Sequence, residues 1–507
     1  MAQQRQVIYI GAPGFRGLNT QDSPVNQDPS FASIAENAII DKFGRIGARK
    51  GINKVTSSLT ALGSSIGTES VKEFIALDGG KKIYSAGNNK IFSGTTSLTD
   101  ETPGGYTISA NNWKMVNFND HMYFFQSGHA PLIYQDGGTL ETIASHSGAS
   151  GTPPNANEAI AGFGRIWAAD VSGDRNTIFF SDTLDGTDWN SGTSGSLDVK
   201  TVWPTGFDEI VALATHNNFL VIFGKKSILL YSGASAPASM TLADSITNIG
   251  CIARDSVQNT GTDVIFLSDS GVRSLGRTIQ EKSAPIGDIS KNVRDELMSD
   301  VNTETLNIKS VFSPEEAFYL LFLPTTSKVY CFDMRGTLED GSHRVTTWPN
   351  TKILCADRID DGTLHFGSAK GIGKYSDFLD DATPYVMKYY TNPLSYGDAS
   401  RLKMLKEIDF TVIGGQNTSV VVNWGYDYKE AYTKQTATLS DAKIAEYGIS
   451  EYNVADSEYS ASIIIDSAQI KATGTGKVAT IGIDATINGK SLSIQELKTE
   501  ALIGKLI

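Results

Sequence analysis

The histidines of this chain, and the glycines near its start, do not fall into spacings that support metal or phosphate binding. Its six histidines form no HxH, HExxH or HxxxH pair, the spacings that bring two imidazoles to one metal ion. The glycine-rich stretch 11–17 lacks the Lys-Ser/Thr of a phosphate-binding loop. We therefore predict no catalytic residue, no cofactor and no metal site, and we expect that the protein is not an enzyme. The histidines are His121, His129, His146, His216, His343 and His365.

Three carboxylates in the stretch 181–189 are the best remaining candidates for a site. Asp182, Asp185 and Asp188 precede Trp189, a pattern similar to the Asp-box hairpin of sialidase-like propellers but one residue longer. In that hairpin the carboxylate accepts hydrogen bonds from turn N–H groups and the aromatic ring packs beneath. Oxygen ligands could also hold Ca²⁺, but the regular alternation of a calcium loop is missing. We favour a hydrogen-bonded turn.

The overall charge argues against a protein that grips nucleic acid. The formal net charge is −13 and the isoelectric point is near 5.0, whereas phosphate binding requires a basic face. The strongest basic run is Arg401, Lys403 and Lys406 with Lys388 nearby, which we interpret as a solvated strand face. Three widely spaced cysteines favour neither a disulfide framework nor a zinc site. We expect no secretory signal and no membrane-spanning segment, because no apolar run approaches the ~18 residues that spanning needs.

A recurring hairpin organises the chain between residues 82 and 375. Each copy has a short apolar or aromatic run, a polar Gly-rich turn and a second short run, which is typical of a β-hairpin. Turn centres fall 41 to 54 residues apart, close to the period of propeller blades. The paired runs are 82–84 with 91–92, 122–125 with 132–134, 165–167 with 177–180, 219–223 with 228–231, 264–267 with 272–275, 318–323 with 329–332, and 364–366 with 372–375.

This repeat predicts an all-β protein with a β-propeller of six or seven blades. One sheet cannot bury both of its faces, so the sheets pack radially against one another. A β-helix or a chain of sandwiches is the alternative. We place the propeller at residues 66–385, an irregular N-terminal arm with the first strands at 1–65, and a β-sandwich-like domain at 386–507. A helix is expected at 290–300 with Ser290 as N-cap, and a long loop at 430–460.

The order of several short motifs resembles the tail nozzle proteins of short-tailed bacteriophages, also called tail tubular protein B, and the related packaged-DNA stabilisation proteins. The motifs are 17–19, 22–24, Asn37, 47–51, 164–167 with 176–181, 266–268 with 271–275, and 489–496. The positions carried over are Gly17, Asp22, Pro24, Asn37, Gly47, Arg49, Gly51, Arg165, Trp167, Ser181, Gly271, Gly489, Ile494 and Gln495.

The resemblance implies a structural virion protein and not an enzyme. Such proteins form a homohexameric ring at the distal end of the podovirus tail, assembled in the host cytoplasm. The ring retains packaged double-stranded DNA and provides its exit channel during ejection through the host envelope. It contacts the tail adaptor and tail fibres or spikes. Two alternatives remain open: a propeller-type glycan hydrolase or lyase, and a receptor-binding tail protein.

Overall fold

Strands form almost all of the regular structure in the computed structural model, which describes residues 4–24, 27–57, 67–281, 288–416, 418–429, 431–439 and 465–504. The N-terminal segment, expected to be an irregular arm with the first strands, contributes six of them. They are β1 (Gln4–Gly11), β2 (Gly17–Leu18), β3 (Phe31–Glu36), β4 (Ala38–Ile40), β5 (Ile46–Ala48) and β6 (Gly51–Lys54).

Seven antiparallel sheets then follow one another along the described chain, and we number them sheets 1 to 7. Sheet 1 contains β7 (Thr68–Ile75), β8 (Lys81–Gly87), β9 (Lys90–Ser93) and β10 (Thr99–Asp100). Sheet 2 contains β11 (Lys114–Phe118), β12 (His121–Phe125), β13 (Leu132–Gln135) and β14 (Glu141–Thr142). Sheet 3 contains β15 (Ala156–Gly162), β16 (Arg165–Val171), β17 (Thr177–Phe180) and β18 (Gly195–Asp198).

Sheets 4 to 7 complete the series. Sheet 4 contains β19 (Ile210–His216), β20 (Phe219–Gly224), β21 (Ser227–Ser232) and β22 (Thr241–Thr247). Sheet 5 contains β23 (Gln258–Asn259), β24 (Val264–Ser268) and β25 (Gly271–Ser274), followed by helices α1 (Leu275–Glu281) and α2 (Arg294–Thr303). Sheet 6 contains β26 (Lys309–Ser313), β27 (Phe318–Leu323), β28 (Lys328–Asp333) and β29 (Val345–Trp348). Sheet 7 contains β30 (Cys355–Arg358), β31 (Leu364–Ser368), β32 (Gly371–Ser376) and the early strand β6.

Each predicted hairpin forms the second and third strands of one sheet. The first turn shows why the sequence folds this way locally. Asn88 and Asn89 both have positive φ, 51° and 56°, as a two-residue hairpin turn requires. Asparagine tolerates this region better than other residues with a Cβ. The seven hairpins predicted from the sequence are confirmed.

The series of sheets closes into a circle at sheets 7 and 1. Strand β6 pairs with β32, so residues near the N-terminus complete the last sheet. Lys72 Nζ of sheet 1 lies 2.7 Å from Asp357 Oδ1 of sheet 7. The predicted all-β propeller is confirmed. Because sheet 5 has three described strands and sheet 6 continues into a larger sheet, the number of blades stays a prediction.

Apolar side chains fill the spaces between neighbouring sheets. Tyr84 and Phe124 pack between sheets 1 and 2, with ring centroids 5.3 Å apart. Phe223 and Phe266 do the same between sheets 4 and 5, at 5.0 Å. Burying one such side chain contributes roughly 1.5–3 kcal/mol. This radial packing explains why both faces of the strands are apolar.

The remaining strands build two further sheets together with the N-terminal strands. They are β33 (Tyr385–Thr391), β34 (Lys403–Gly414), β35 (Ser419–Tyr426), β36 (Thr433–Thr438), β37 (Ile465–Lys471), β38 (Ala479–Ile487) and β39 (Leu492–Ile503). One sheet has the order β37-β34-β39-β5-β4, with β1 also paired to β39. The other continues sheet 6 in the order β29-β2-β3-β33-β38-β35-β36. Side chains of both sheets share one core, with Phe410 and Leu497 on the first and Trp424 and Ile483 on the second.

This pairing bears on the expected organisation of the chain. The domain boundaries at residues 65 and 386 stay a prediction. Strands from residues 4–54 pair both with the expected propeller, through β6 and β32, and with the expected C-terminal domain, through β1 and β39. Residues 433–438 form a strand where a long loop was expected, and 440–464 lie outside the described residues. Among the described helices, none is long and apolar enough to cross a membrane.

The expected helix starts later than 290, and Ser290 does not cap it. Residues 291–293 form a 3₁₀ turn, and α2 follows at Arg294. The Ser290 hydroxyl accepts a hydrogen bond from the backbone N–H of Val272. The prediction of Ser290 as N-cap is therefore wrong, because this hydroxyl serves sheet 5 instead.

Candidate functional site

The motif residues near the N-terminus meet at the boundary between sheet 7 and β33, which we call the joint: Asn37, Arg49, Trp348, Asp380 and Tyr385. The Arg49 side chain is only 2% exposed. Its guanidinium donates to both carboxylate oxygens of Asp380, at 2.8 and 2.5 Å, and through Nε to Asn37 Oδ1 at 3.1 Å. It also lies over the Tyr385 ring, 4.3 Å from the centroid, and 5.5 Å from that of Trp348. The joint thus ties β6 and sheet 7 to the strands beyond them.

Burial and pairing act in opposite directions on Arg49. Burial alone would lower the pKa of its guanidinium, but the hydrogen bonds and charge of Asp380 raise that pKa above its ordinary value. Arg49 therefore stays charged inside the joint. A bidentate pair of this kind fixes orientation as well as supplying energy.

Three glycines of the motif allow close backbone contact around the joint. A Cβ at Gly51 would lie 1.7 Å from the carbonyl oxygen of Leu379, and one at Gly47 would lie 2.6 Å from Ser493 Oγ. Gly17 has φ +76°, and a Cβ there would lie 2.6 Å from the carbonyl oxygen of Val345. A larger residue at Gly51 or Gly17 would displace backbone, whereas one at Gly47 would first displace the Ser493 side chain.

The C-terminal motif reaches the same region. Ile494 is buried and pairs with Ile46 of β5, and the Gln495 carbonyl accepts the backbone N–H of Ala12. Gly489, with φ +74°, donates its N–H to the Phe378 carbonyl. Residues more than 430 positions apart in the chain are thereby brought together.

The two remaining N-terminal motif positions lie further out. The Asp22 carboxylate accepts a hydrogen bond from Asn19 Nδ2 at 2.9 Å and shapes a turn. Pro24 is exposed beside that turn. Nothing in the described structure gives Pro24 a contact that explains its place in the motif.

The motif residues of sheet 3 form a separate buried network. Arg165 donates to the Ser181 carbonyl at 2.9 Å and to Thr183 and Thr193. Trp167 is fully buried and donates its indole N–H to the Gly162 carbonyl. In sheet 5, Gly271 has φ +124°, and a Cβ there would lie 2.3 Å from Ser290 Oγ. These contacts stabilise the blades to which the residues belong.

The stretch 181–189 forms a hydrogen-bonded turn. Asp182 Oδ1 accepts from the Thr193 N–H at 2.7 Å, and Asp188 Oδ1 accepts from the Asn190 and Ser191 N–H groups. Hydrogen bonds from Thr193 hold the pKa of Asp182 below its ordinary value. Trp189 packs against Phe125, with ring centroids 6.4 Å apart. Within the described residues, no group of three or more His, Cys, Asp or Glu side chains is placed to hold a metal ion.

The basic run at 401–406 is not a solvated face throughout. Lys403 is buried, and its Nζ donates to the carbonyls of Asp398 and Lys477. Arg401 pairs with Asp398 at 3.1 Å, and Lys388 pairs with Glu36 at 3.0 Å. The interpretation as a solvated strand face is wrong for Lys403, because its ammonium is buried and donates hydrogen bonds to two backbone carbonyls.

A cluster of five charged side chains, of which Glu158, Arg254 and Lys309 are buried, lies at the propeller axis and was not predicted from the sequence. We call it the axial cluster: Lys114, Glu158, Arg254, Asp255 and Lys309. Its members come from the first strands of sheets 2, 3 and 6 and from the segment before β23. Sheets 2 and 6 lie on different sides of the circle. Arg254 and Asp255 contact residues of both sheets, which is possible only from the centre of the propeller.

Arg254 and Asp255 hold this cluster together. Arg254 Nη2 lies 2.7 Å from Asp255 Oδ2, and Lys309 Nζ lies 2.8 Å from the same oxygen. Arg254 also donates to Asn157 Oδ1 on sheet 3, at 2.9 Å, and to Asn112 Oδ1 just before sheet 2, at 2.8 Å. Although burial opposes ionisation, the positive charges of Arg254, Lys309 and Lys114 hold the pKa of Asp255 well below its ordinary value.

Glu158 behaves differently although it belongs to the same cluster. Its side chain is fully buried, Lys114 Nζ lies 3.2 Å away, and neither carboxylate oxygen has a hydrogen-bond partner in the described structure. Burial raises its pKa to about 7, against the opposing attraction of Lys114 and Arg254. Desolvation therefore outweighs pairing at Glu158.

Comparison with known proteins finds no family and only distant structural similarities. No protein-family model matches the chain, and no curated protein does. The chain is similar to the extracellular domain of a one-component system from B. thetaiotaomicron, with 12% identity and a TM-score of 0.42, over 65% of this chain and 40% of that one. It is also similar to the Neurospora crassa Pan2 WD40 domain, with 11% identity and a TM-score of 0.37, over 66% of this chain and 97% of that domain. A third similarity is to the WD40 domain of Toxoplasma gondii coronin, with 10% identity and a TM-score of 0.33, over 68% of this chain and 86% of that domain.

Proposed function

We propose that this chain is a subunit of the ring that ends a short bacteriophage tail, where it retains packaged DNA and forms the exit channel. One observation carries the proposal. The motifs that resemble the nozzle family are far apart in sequence, yet Asn37, Gly47, Arg49, Gly51 and Ile494 lie around one joint. If these motifs keep the same joint in the nozzle family and in this chain, the joint explains why the same motifs occur in both.

The charge distribution supports a passage along which DNA slides. Asp361, Asp78, Asp120 and Asp182 lie in turns at one end of sheets 7, 1, 2 and 3, respectively, and none forms an ion pair with a described residue. Neighbouring turns are joined by hydrogen bonds, from Leu77 N–H to Asp120 at 2.8 Å and from Asn119 to the Leu184 carbonyl at 2.6 Å. We propose that acidic residues such as these line the channel, because like charges prevent the phosphate contacts that would hold DNA.

Assembly mass and location test this function. Native mass spectrometry of the purified chain, alone and with tail adaptor protein, should show six copies in a ring. Electron microscopy with a labelled antibody should place the chain at the tail tip. A trimer on a fibre would favour the receptor-binding alternative, and steady release of sugars from host polysaccharide would favour the hydrolase or lyase. A ring whose inner wall is mainly Lys and Arg would refute the acidic channel.

A further inference from the structure

Two histidines that are 25 positions apart in sequence come into contact at the outer part of sheet 2. His121 begins β12, and His146 follows a 3₁₀ turn at Ile143–Ser145 after β14. Their ring centroids are 5.4 Å apart and the rings are nearly perpendicular, at 88°. Neither histidine takes part in the joint or in the axial cluster.

Each ring uses its Nδ1 atom for a hydrogen bond. His121 Nδ1 lies 2.6 Å from the Asn119 carbonyl oxygen, which can only accept, so this nitrogen carries the proton. His146 Nδ1 lies 2.8 Å from Glu141 Oε1. Histidines that bind metals usually donate their second ring N–H to a carbonyl or a carboxylate in this way.

The opposite nitrogen of His121 has no partner. Its Nε2 atom is buried and makes no hydrogen bond in the described structure. An unsatisfied buried acceptor costs about 1–3 kcal/mol. An ion or a bound group at this nitrogen would remove that cost.

We propose that His121 and His146 bind one divalent ion of the zinc, nickel or copper class through their Nε2 atoms. Imidazole suits these metals, and a zinc–nitrogen bond of about 2.0–2.1 Å places each ring centre roughly 3 Å from the ion. At a tetrahedral angle the two centres would be roughly 5 Å apart, close to the observed 5.4 Å. Asn119 and Glu141 orient the rings, and water completes the coordination.

Because only two protein ligands are present, the affinity should be lower than that of a four-ligand structural zinc site. The ion would clamp β12 to the segment after β14. The site is independent of the proposed tail function, so either can fail without the other.

Isothermal titration of the full-length, untagged, chelator-treated chain with zinc chloride and with nickel chloride tests the proposal. We expect one ion per chain, a loss of at least tenfold in affinity in both His121→Gln and His146→Gln, and no change in His216→Gln, the matched control. Glu141→Gln keeps both ligands but weakens their orientation, so it should lose roughly tenfold or more. If one histidine variant fails to fold, the metal affinities of the other histidine variant and of Glu141→Gln still test the site.

Two results would overturn the site. One is the absence of stoichiometric binding of either metal to the wild-type chain. The other is wild-type affinity in folded His146→Gln and Glu141→Gln variants.

Discussion

The guanidinium of Arg49 is fully engaged inside the joint, so its removal should be costly. Replacing it in Arg49→Met leaves Asp380 without its partner, and we expect a loss of about 3 kcal/mol in the free energy of unfolding. Urea denaturation followed by circular dichroism measures this change. Arg45→Met is the matched control, because Arg45 is buried beside Phe43 but forms no ion pair with a described residue. It should lose no more than about 1 kcal/mol.

A double-mutant cycle with Asp380→Asn separates the pair from general packing. We expect a coupling energy above about 1 kcal/mol, since the two residues are in direct contact. Additive losses would show that Arg49 acts through its other contacts, such as those with Asn37 and the Tyr385 ring, and not through Asp380.

Glu158 should make stability fall as pH rises. Its folded pKa of about 7 lies above the ordinary value of 4.5, so the folded state binds this proton more tightly. The resulting stabilisation is fully present below pH 4.5 and is lost as pH rises through 7. The loss is about 3 kcal/mol at 1.36 kcal/mol per pKa unit.

Glu158→Gln does not titrate, so it should gain that amount relative to wild type between pH 4.5 and 8. Denaturant unfolding of both proteins at both pH values measures the difference. A difference that stays constant with pH would contradict the raised pKa.

Local hydrogen bonding was predictable from the sequence, whereas long-range charge pairing was not. The turn at 181–189 depends on donors two to eleven residues from Asp182 and Asp188, and these carboxylates were correctly assigned to a turn. Arg254 instead meets Asn112 and Asn157, 142 and 97 positions away. No spacing in the sequence indicates such a contact.

Strand β6 is the element on which closure of the propeller depends. A Cβ at Gly51, its first residue, would overlap the Leu379 carbonyl at 1.7 Å, and backbone cannot move aside easily. We expect Gly51→Ala to lower the free energy of unfolding by more than about 2 kcal/mol. Hydrogen exchange in β31 and β32 should also speed up.

Gly104→Ala is the control for this substitution. A Cβ at Gly104 meets nothing within 4 Å, so both measurements should match wild type. Equal effects of the two substitutions would mean that closure does not depend on this close approach.

The hairpins were predictable because their strands are adjacent in sequence and their turns have characteristic residues. The pairing of β6 with β32 joins residues about 320 positions apart, for example Gly51 with Ser376. Strand β1 likewise pairs with β39, where Gln4 faces Ile503. Neither strand carries a local signal for its partner, so the N-terminal segment was expected to be largely an irregular arm.

At the scale of the whole molecule, a fragment cut at the predicted boundary should be incomplete. Residues 66–385 lack β6, whereas residues 51–385 include it. We expect the longer fragment to unfold cooperatively, and the shorter one to be less stable by at least about 2 kcal/mol. Denaturant unfolding and limited proteolysis measure this. Equal stabilities would show that sheet 7 is complete without the early strand.

The salt-bridged pair at Arg254 and Asp255 has a consequence for transport. With its centre filled by charged side chains held from several directions, the described part of the propeller offers no tunnel along its axis for a double helix. Any passage would have to be outlined by the outer walls of several molecules standing side by side. Its width would then depend on how many stand in the circle, and opening it would require whole molecules to tilt or separate.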